Sequence, residues 1–243
     1  MRYGICVPNL AEFSDPRRVA ALARRAEEAG WLGPLVTPVA RRRPGTLARQ
    51  ATSVDRLSGG RLIFGAGLGF TLPAEYGTWG ESAEPRVVAR RLDEGLEVLA
   101  RLWSGERVDF RGEHVTADGV TFAPVPAQRP RPPVWIGCDW PSRPPLRRAA
   151  RWDGIAPMIV SPRDGSWAAT PEIVAEIVAA VGEHRDGGSP FDVVITGRTQ
   201  VADAEESVTA LAAAGATWWL EGFRPSQGEY EAALRRIEAG PPA

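Results

Sequence analysis

The chain has 243 residues, of which 44% are hydrophobic and 24% charged, and its formal net charge at pH 7 is −1. This length suits one large domain with a sizeable core, and the balanced charge gives no reason to expect a nucleic acid or an anionic membrane as a partner. The longest apolar runs are too short to cross a bilayer, and no signal-peptide core follows the N-terminus. We therefore expect a globular, cytoplasmic protein.

Scarce residue types exclude several kinds of chemistry. The chain contains no lysine, so all 29 basic residues are arginine, which excludes Schiff-base catalysis, a pyridoxal-binding lysine and a phosphate-loop lysine. Only His114 and His184 are available for a histidine metal site or a catalytic triad, and we expect no metal. Cys6 and Cys138 fall in predicted buried strands, which favours reduced thiols over a disulfide.

The N-terminal part alternates short apolar runs with helical patterns. Residues 3–7 predict a first strand, and Ser14-Asp15-Pro16 begins a helix with a capping side chain followed by proline at the first helical position. Gly30 is the expected end of that helix, because glycine readily adopts the left-handed conformation of a C-cap. Residues 31–37 predict a second strand and residues 47–57 the next helix.

Three glycines at alternate positions follow the predicted third strand. Residues 61–64 form a short apolar run, and Gly65, Gly67 and Gly69 come directly after it. Without side chains there, a ligand can lie against the backbone at the carboxyl end of a parallel strand. The alternative is that these are turn glycines only, and the spacing is not that of the dinucleotide fingerprint.

Two insertion regions, residues 68–84 and 104–133, flank a long predicted helix that starts at Pro85. In the first, the connection at residues 70–84 is long enough for a binding loop, and its Tyr76 and Trp79 either cover a cofactor or pack ordinarily. In the second, residues 108–115 and 120–122 predict a small β-hairpin that turns at Ala117-Asp118-Gly119.

The C-terminal half returns to short strand–helix units. Strands are predicted at 134–138, 153–160, 191–196 and 217–220. Helices begin at Pro144, Thr170-Pro171 and Asp203, and Ser226 with Glu229 predicts a capping box for the last helix. Repeated units of this kind predict an α/β fold with a parallel sheet and outer helices, and a single β/α barrel domain over residues 1–243. About seven barrel strands are recognisable where a closed barrel needs eight.

The chain as a whole resembles the bacterial-luciferase-like family of flavin-dependent monooxygenases and oxidoreductases. The segments that carry the resemblance follow one another in the family's order, and they are residues 55–69, 93–99, 103–106, 131–137, 146–154 and 215–221. The most specific is residues 55–69, which contains the three glycines. The resemblance implies a TIM (β/α)8-type barrel that holds FMN or the deazaflavin coenzyme F420 at the carboxyl ends of its strands.

The resemblance also assigns roles to individual residues. It implies that Val36-Thr37-Pro38 passes beside the isoalloxazine ring and that Gly65 and Gly67 let the cofactor approach the strand. It implies that Gly137, Cys138 and the loop after them meet the phosphate end. The expected partners are a small-molecule substrate, a second copy of the chain in a homodimer and a separate flavin reductase.

One strand–helix unit of the family is missing after residue 31, because the first predicted helix leads directly into the strand that ends at Pro38. The resemblance implies a flavin-dependent oxidoreductase that transfers hydride or activates oxygen. The missing unit leaves a second hypothesis, a catalytically silent flavin-binding protein or a barrel remnant that binds no cofactor.

Several charged residues keep two interpretations. Glu221 ends the last predicted strand, where barrel enzymes place catalytic groups, so it is the one catalytic candidate. A hydrolase that uses Glu221 with Asp139 is the third hypothesis, although nothing in the sequence pairs these carboxylates. Arg41-Arg42-Arg43 either contacts phosphate or forms a solvated edge, and His114 in the hairpin is interpreted mainly as a surface or structural residue.

Overall fold

The computed structural model describes residues 1–8, 10–33, 35–199 and 204–242. Over these ranges the strands are β1 Arg2–Cys6, β2 Leu35–Pro38, β3 Phe64–Gly67, β4 Arg107–Arg111, β5 Thr116–Thr121, β6 Val134–Asp139, β7 Gly154–Met158, β8 Asp192–Gly197 and β9 Trp218–Gly222. The α-helices are α1 Pro16–Glu28, α2 Pro44–Leu57, α3 Leu72–Glu75, α4 Pro85–Ser104, α5 Pro144–Ala149, α6 Pro171–Gly182, α7 Ala204–Ala213 and α8 Glu229–Glu238. The cap predicted at Asp203 lies outside the described residues.

The chain forms two compact units. The terminal unit consists of Met1–Pro34 with Asp139–Ala243, and the central unit is Leu35–Cys138. In the terminal unit, parallel strands follow the order β1-β9-β8-β7. In the central unit, parallel β6, β3 and β2 lie side by side, and β4 pairs with β5 in an antiparallel hairpin. The described residues therefore provide seven parallel strands, as the sequence pattern predicts.

Helix termini form where the local sequence predicts them. The Asp15 side chain accepts a hydrogen bond from the Arg17 backbone N–H at 2.9 Å, and Pro16 is the first residue of α1. The Thr170 side chain caps α6 through the Ile173 N–H at 3.4 Å. Gly105 ends α4 with a φ of +83°, in the left-handed region that glycine adopts without strain.

Each unit has its own core. In the terminal unit, α1 and α8 pack against β1 and against the end of β9 through eight buried residues, namely Ile5, Phe13, Leu22, Ala26, Trp31, Phe223, Ala233 and Ile237. In the central unit, α2 and α4 bury Trp103, whose ring meets Phe64 edge-on at 5.3 Å and whose indole N–H donates to the Ala48 carbonyl at 3.3 Å. This indole is fully buried and also hydrogen-bonded, so its polar atom costs little to bury.

The missing strand–helix unit is confirmed. Only a short connection separates the end of α1 from the start of β2, and its described residues form a single isolated bridge, between Leu32 and Gly4. Leu32 accepts from the Ile5 N–H at 2.8 Å and donates to the Tyr3 carbonyl at 3.0 Å. The predicted second strand is therefore shorter than expected, because Leu32 bridges to β1 and only Leu35–Pro38 pairs with β3.

The predicted turn of the hairpin is wrong. Asp118 and Gly119 lie inside β5, and the chain reverses at residues 112–115. The reason is the Glu94 carboxylate of α4, which accepts hydrogen bonds from the backbone N–H groups of three consecutive residues, Glu113 at 2.9 Å and His114 and Val115 at 2.8 Å each. This contact from α4 outweighs the local Asp-Gly turn signal.

Three other expectations need correction. The third strand is Phe64–Gly67, so Gly65 and Gly67 lie within the strand and not after it. The connection at residues 70–84 contains α3 and a short 3₁₀ turn, Gly77–Trp79. The capping box is absent, because α8 begins after Gly228 and the Glu229 carboxylate accepts from the Arg224 N–H instead.

Neither cysteine forms a disulfide among the described residues; Cys6 is exposed rather than buried as predicted, and Cys138 is partly buried. In the described ranges, none of the helices combines the length and the apolar character that a bilayer crossing requires.

Candidate functional site

The seven residues predicted to bind a cofactor lie on three adjacent strands of the central unit. Val36 stands opposite Gly65, and Pro38 stands opposite Gly67, across the β2–β3 pair. Gly65 stands opposite Trp135 across the β3–β6 pair, so Gly137 of β6 lies near Gly67 at the carboxyl ends. Parallel strands bring these ends to the same edge of the sheet.

Only some of these residues share a face. Side chains alternate along a strand, so the face that carries Val36 also carries Gly67 and Gly137, whereas Thr37 and Cys138 belong to the opposite face. Thr37 is buried, and its hydroxyl has no hydrogen-bond partner among the described residues. Val36 is 53% exposed, which is unusual for a valine within a strand.

We call Val36, Gly67 and Gly137 the glycine shelf, because two missing side chains leave room beside an exposed apolar one. A Cβ built on Gly137 would lie 3.6 Å from Val36 Cγ1 and 3.7 Å from the Ala66 carbonyl oxygen. A Cβ built on Gly67, which is itself buried, would meet nothing nearer than 3.9 Å. The shelf therefore presents an exposed apolar side chain beside two residues that have none, an arrangement compatible with a planar ring.

The segment that follows β3 is held in place by two polar side chains. The Tyr76 hydroxyl donates to the Leu68 carbonyl at 2.6 Å, and the Tyr76 side chain is fully buried. Burial, with a smaller contribution from the Glu75 charge, raises the pKa of Tyr76 to about 12, so this hydroxyl remains a donor at neutral pH. Of the two interpretations for Tyr76, ordinary packing is the one that the structure supports.

Glu75 closes the same segment. Its carboxylate accepts from the Phe70 N–H at 2.8 Å and the Thr71 N–H at 3.3 Å, and pairs with Arg41 at 3.0 Å. Burial acts to raise the pKa of Glu75, but these backbone donors and the guanidinium outweigh it and lower the pKa. Glu75 thus ties the segment after β3 to the segment after β2.

Two aromatic side chains of this region face solvent. Phe70 is 79% exposed and Trp79 is 74% exposed. Both lie on the segment that follows the carboxyl end of β3, and each offers a large apolar surface. Trp79 is therefore not a core residue, which keeps its predicted role as a cover for a bound ring open to test.

Sequence reasoning missed the role of Asp55. This carboxylate is fully buried and accepts from the Ala127 N–H at 2.7 Å, the Gln128 N–H at 3.0 Å and the Gln128 amide at 2.7 Å. Asp55 thereby anchors the proline-rich residues 124–133, which lead into β6 and its Gly137. An acidic residue in the last turn of a predicted helix, just before Ser58-Gly59-Gly60, was the available signal.

Glu221 lies in the terminal unit and is fully buried. Its carboxylate accepts from the Thr199 hydroxyl at 2.7 Å, the Thr199 N–H at 2.8 Å and the Trp219 indole at 3.1 Å, and it pairs with Arg236 at 3.4 Å. These partners account for both oxygens, as expected of a carboxylate that supports structure. Its catalytic role stays a prediction, and no hydrogen bond joins it to the exposed Asp139 in the part of the chain that the structure describes.

The remaining candidates lie outside the three strands that carry the shelf. His184 is exposed just after α6, whereas His114 is partly buried at the hairpin turn and Arg41-Arg42-Arg43 connects β2 to α2. A search of the described residues finds no group of three or more His, Cys, Asp or Glu side chains placed to hold a metal ion.

Comparison with known proteins identifies a family over most of the chain. The model of the luciferase-like monooxygenase family matches residues 31–240. An F420-dependent glucose-6-phosphate dehydrogenase from Nakamurella multipartita is 33% identical over 110 residues, which is 44% of this chain and 31% of that protein. The chain spans about a third of the length of the curated relatives it matches.

Solved structures show the same fold. The coenzyme F420-dependent tetrahydromethanopterin reductase from Methanopyrus kandleri superposes with a TM-score of 0.70 at 14% identity, covering 98% of this chain and 97% of that one. The oxygenating constituent of 3,6-diketocamphane monooxygenase from Pseudomonas putida, in complex with FMN, gives a TM-score of 0.62 at 13% identity, covering 88% and 73%. The fold is therefore a luciferase-like β/α fold of the TIM-barrel type.

Proposed function

Because this chain belongs to the luciferase-like monooxygenase family, we propose that it is a flavin-dependent oxidoreductase that binds FMN or coenzyme F420 on the glycine shelf. The relatives and structural neighbours support this choice, since they include enzymes named as F420-dependent and a monooxygenase solved in complex with FMN. The observation that carries the proposal is the shelf itself, where Gly67 and Gly137 leave room beside the exposed Val36.

The chain's own residues would bind and orient the ring. Val36 offers an apolar contact to one face of a planar ring, and the backbones of β3 and β6 allow close approach because no Cβ intervenes. Tyr76 and Glu75 keep the segment after β3 in one conformation, which holds the rim of the shelf steady. The bound cofactor supplies the redox chemistry, as hydride transfer or as oxygen activation, to a small organic substrate. In the oxygen-dependent form, a separate reductase would deliver the reduced flavin.

A second candidate is a protein that binds the cofactor without turnover. The absent strand–helix unit between α1 and β2 favours it, because the strand ends of a β/α barrel carry the catalytic side chains. The two candidates share the glycine shelf and differ only in whether bound cofactor reacts.

Absorbance titration tests the shelf directly. Purified protein is titrated with FMN and, separately, with F420, alongside the Gly137→Leu variant and the matched control Gly182→Leu. A Cβ would meet nothing nearer than 3.6 Å at either glycine, and neither has a φ in the left-handed region, so we expect both variants to fold. We expect saturable binding by the parent and the control, and at least about tenfold weaker binding by Gly137→Leu, whose side chain occupies the ring's place.

Equal affinity of the two leucine variants would contradict the shelf as the binding surface. Absence of saturable binding of either cofactor to the parent would contradict both candidates. Turnover of reduced cofactor in the presence of small organic substrates then separates the enzyme from the silent binder.

A further inference from the structure

A concave site, distinct in its lining residues from the glycine shelf, lies in the central unit beyond the carboxyl end of β2. It is a pocket of about 420 Å³, lined by residues 39–44, by Glu81, Arg91 and Gly95, and by residues 114–116 of the hairpin turn. This volume falls in the range of small-molecule sites. The pocket begins one residue after Pro38, the last residue of β2.

The lining is strongly cationic. Arg41, Arg42, Arg43 and Arg91 contribute four positive charges, against one negative charge from Glu81. Arg91 is balanced by Glu81 at 3.0 Å, and Arg41 is balanced by Glu75 at 3.0 Å.

Among the residues that the structure describes, the other two arginines have no carboxylate partner. Arg42 donates to the neutral amide oxygen of Gln50 at 3.0 Å. The Arg43 guanidinium has no hydrogen-bond or ion-pair partner within the ranges that the structure describes. Adjacent guanidinium groups without carboxylates repel each other, and they suit an anion with several acceptor oxygens.

His114 adds a polar group to the opposite wall. Its Nε2 is buried and has no hydrogen-bond partner among the described residues, and Glu113 Oε1 is 3.7 Å away, beyond hydrogen-bond distance. A buried imidazole nitrogen without a partner is uncommon and indicates a group that a ligand can satisfy. The surface interpretation of His114 therefore does not account for its surroundings.

The two walls are held in position from α4. Glu94 binds the three consecutive N–H groups of residues 113–115 and so sets the place of His114. Its neighbour Gly95 lets the chain after β2 approach the helix, because a Cβ there would come within 2.9 Å of Val39 Cγ1. Contacts from α4 therefore fix the backbone on both sides of the pocket.

We propose that this arginine pocket, residues 39–44 with Arg91 and His114, binds the phosphate group of a small molecule. Arg42 and Arg43 supply the charge and the forked donors, and His114 supplies a further hydrogen bond from the hairpin side. The pocket shares none of its lining residues with the glycine shelf, and inorganic phosphate can be tested on it without any cofactor.

Phosphorus NMR titration with inorganic phosphate at constant ionic strength tests the proposal. The double variant Arg42→Gln/Arg43→Gln is compared with Arg24→Gln/Arg147→Gln, which removes the same charge from exposed arginines of the terminal unit. We expect saturable line broadening in the parent and the control, and at least about tenfold weaker binding in Arg42→Gln/Arg43→Gln. Thermal unfolding should be unchanged in all variants, because these arginines are exposed.

Two further titrations identify the source of the phosphate. If the cofactor carries it, the Arg42→Gln/Arg43→Gln change weakens binding of FMN and leaves riboflavin binding unchanged. If the substrate carries it, the variant loses inorganic phosphate but binds FMN as the parent does. Both outcomes support the pocket as a phosphate site.

The proposal is overturned if the parent shows no saturable response to phosphate, or if both double variants bind it equally. Neither result bears on cofactor binding at the glycine shelf, so the two proposals fail independently.

Discussion

Glycines stand near strand ends in both units, and they serve opposite purposes. In the terminal unit, a Cβ on Gly197 of β8 would overlap the ring of Trp219, and one on Gly222 of β9 would lie 2.9 Å from Trp167. In the central unit, a Cβ on Gly67 or Gly137 would meet nothing nearer than 3.6 Å. The same residue type accommodates a packed indole in one unit, whereas in the other unit a Cβ would make only ordinary van der Waals contacts.

Charges follow the same division. The terminal unit places Glu221 in its interior and neutralises it with Arg236, whereas Arg42 and Arg43 line a pocket in the central unit without carboxylate partners among the described residues. A strand end thus becomes a candidate binding site only where neither aromatic side chains nor counter-charges already occupy it. Four substitutions test this division, from the largest expected effect to the smallest.

Arg236→Met should remove about 3–5 kcal/mol from the free energy of unfolding, because it leaves the buried Glu221 without its cation. Urea denaturation of this variant and of Arg235→Met, a neighbouring exposed arginine on α8, measures the effect. Similar losses in the two variants would show that the ion pair does not stabilise the terminal unit. Adding Glu221→Gln to Arg236→Met should recover part of the loss.

Gly197→Ala should destabilise the protein by about 2–3 kcal/mol, because the new methyl group must displace the buried Trp219 ring. Thermal unfolding with tryptophan fluorescence measures both the midpoint and the disturbance of the indole. An unchanged midpoint would mean that the strand end in the terminal unit is as open as the shelf.

Glu94→Ala should cost about 1–2 kcal/mol at neutral pH, because three backbone N–H groups lose their acceptor. Glu97→Ala, on the same helix but with an exposed ion pair to Arg101, is the control and should cost about 0.5 kcal/mol or less. Urea denaturation at pH 7 provides the comparison.

The Glu94 effect should also depend on pH. Burial acts to raise the pKa of Glu94, but the three backbone donors outweigh it, so the pKa in the folded protein lies below the ordinary value of 4.5. The stabilisation is therefore present above pH 4.5 and is lost as the pH falls through the lower folded value. The difference between the parent and Glu94→Ala should shrink below pH 4.5, and a difference that stays constant with pH would contradict this role.

Gly137→Ala should change the free energy of unfolding by no more than about 0.5 kcal/mol, because its Cβ would make only ordinary van der Waals contacts with Val36. Thermal unfolding beside Gly197→Ala gives the contrast between the two strand ends. A loss as large as that of Gly197→Ala would show that the shelf is already filled.

Local patterns predicted the elements well wherever a residue's neighbours in sequence decide its conformation. Asp15 with Pro16 and Thr170 with Pro171 begin their helices as expected, because a capping side chain reaches N–H groups two or three residues away. The missing unit after residue 31 was also visible, since it is a matter of chain length.

Predictions failed where a distant side chain competes with a local signal. The chain does not turn at Asp118-Gly119, because Glu94 binds the backbone at residues 113–115, about twenty residues after it, and fixes the turn there. The predicted capping box does not form, because the Glu229 carboxylate pairs with the distant Arg198 at 2.8 Å and does not cap the helix. Neither competitor can be recognised from the spacing of residues along the chain.

The sequence by itself determined the succession of strands and helices, the family resemblance and the positions of the shelf glycines, because these depend on local conformational preference and on residue order. Only the tertiary structure decided which glycines are open, which carboxylates are neutralised and which arginines lack partners. Those outcomes depend on the side chains that other elements bring close. Trp219 fills the space at Gly197, whereas at Gly137 the nearest side chain, Val36, would make only an ordinary van der Waals contact with a Cβ.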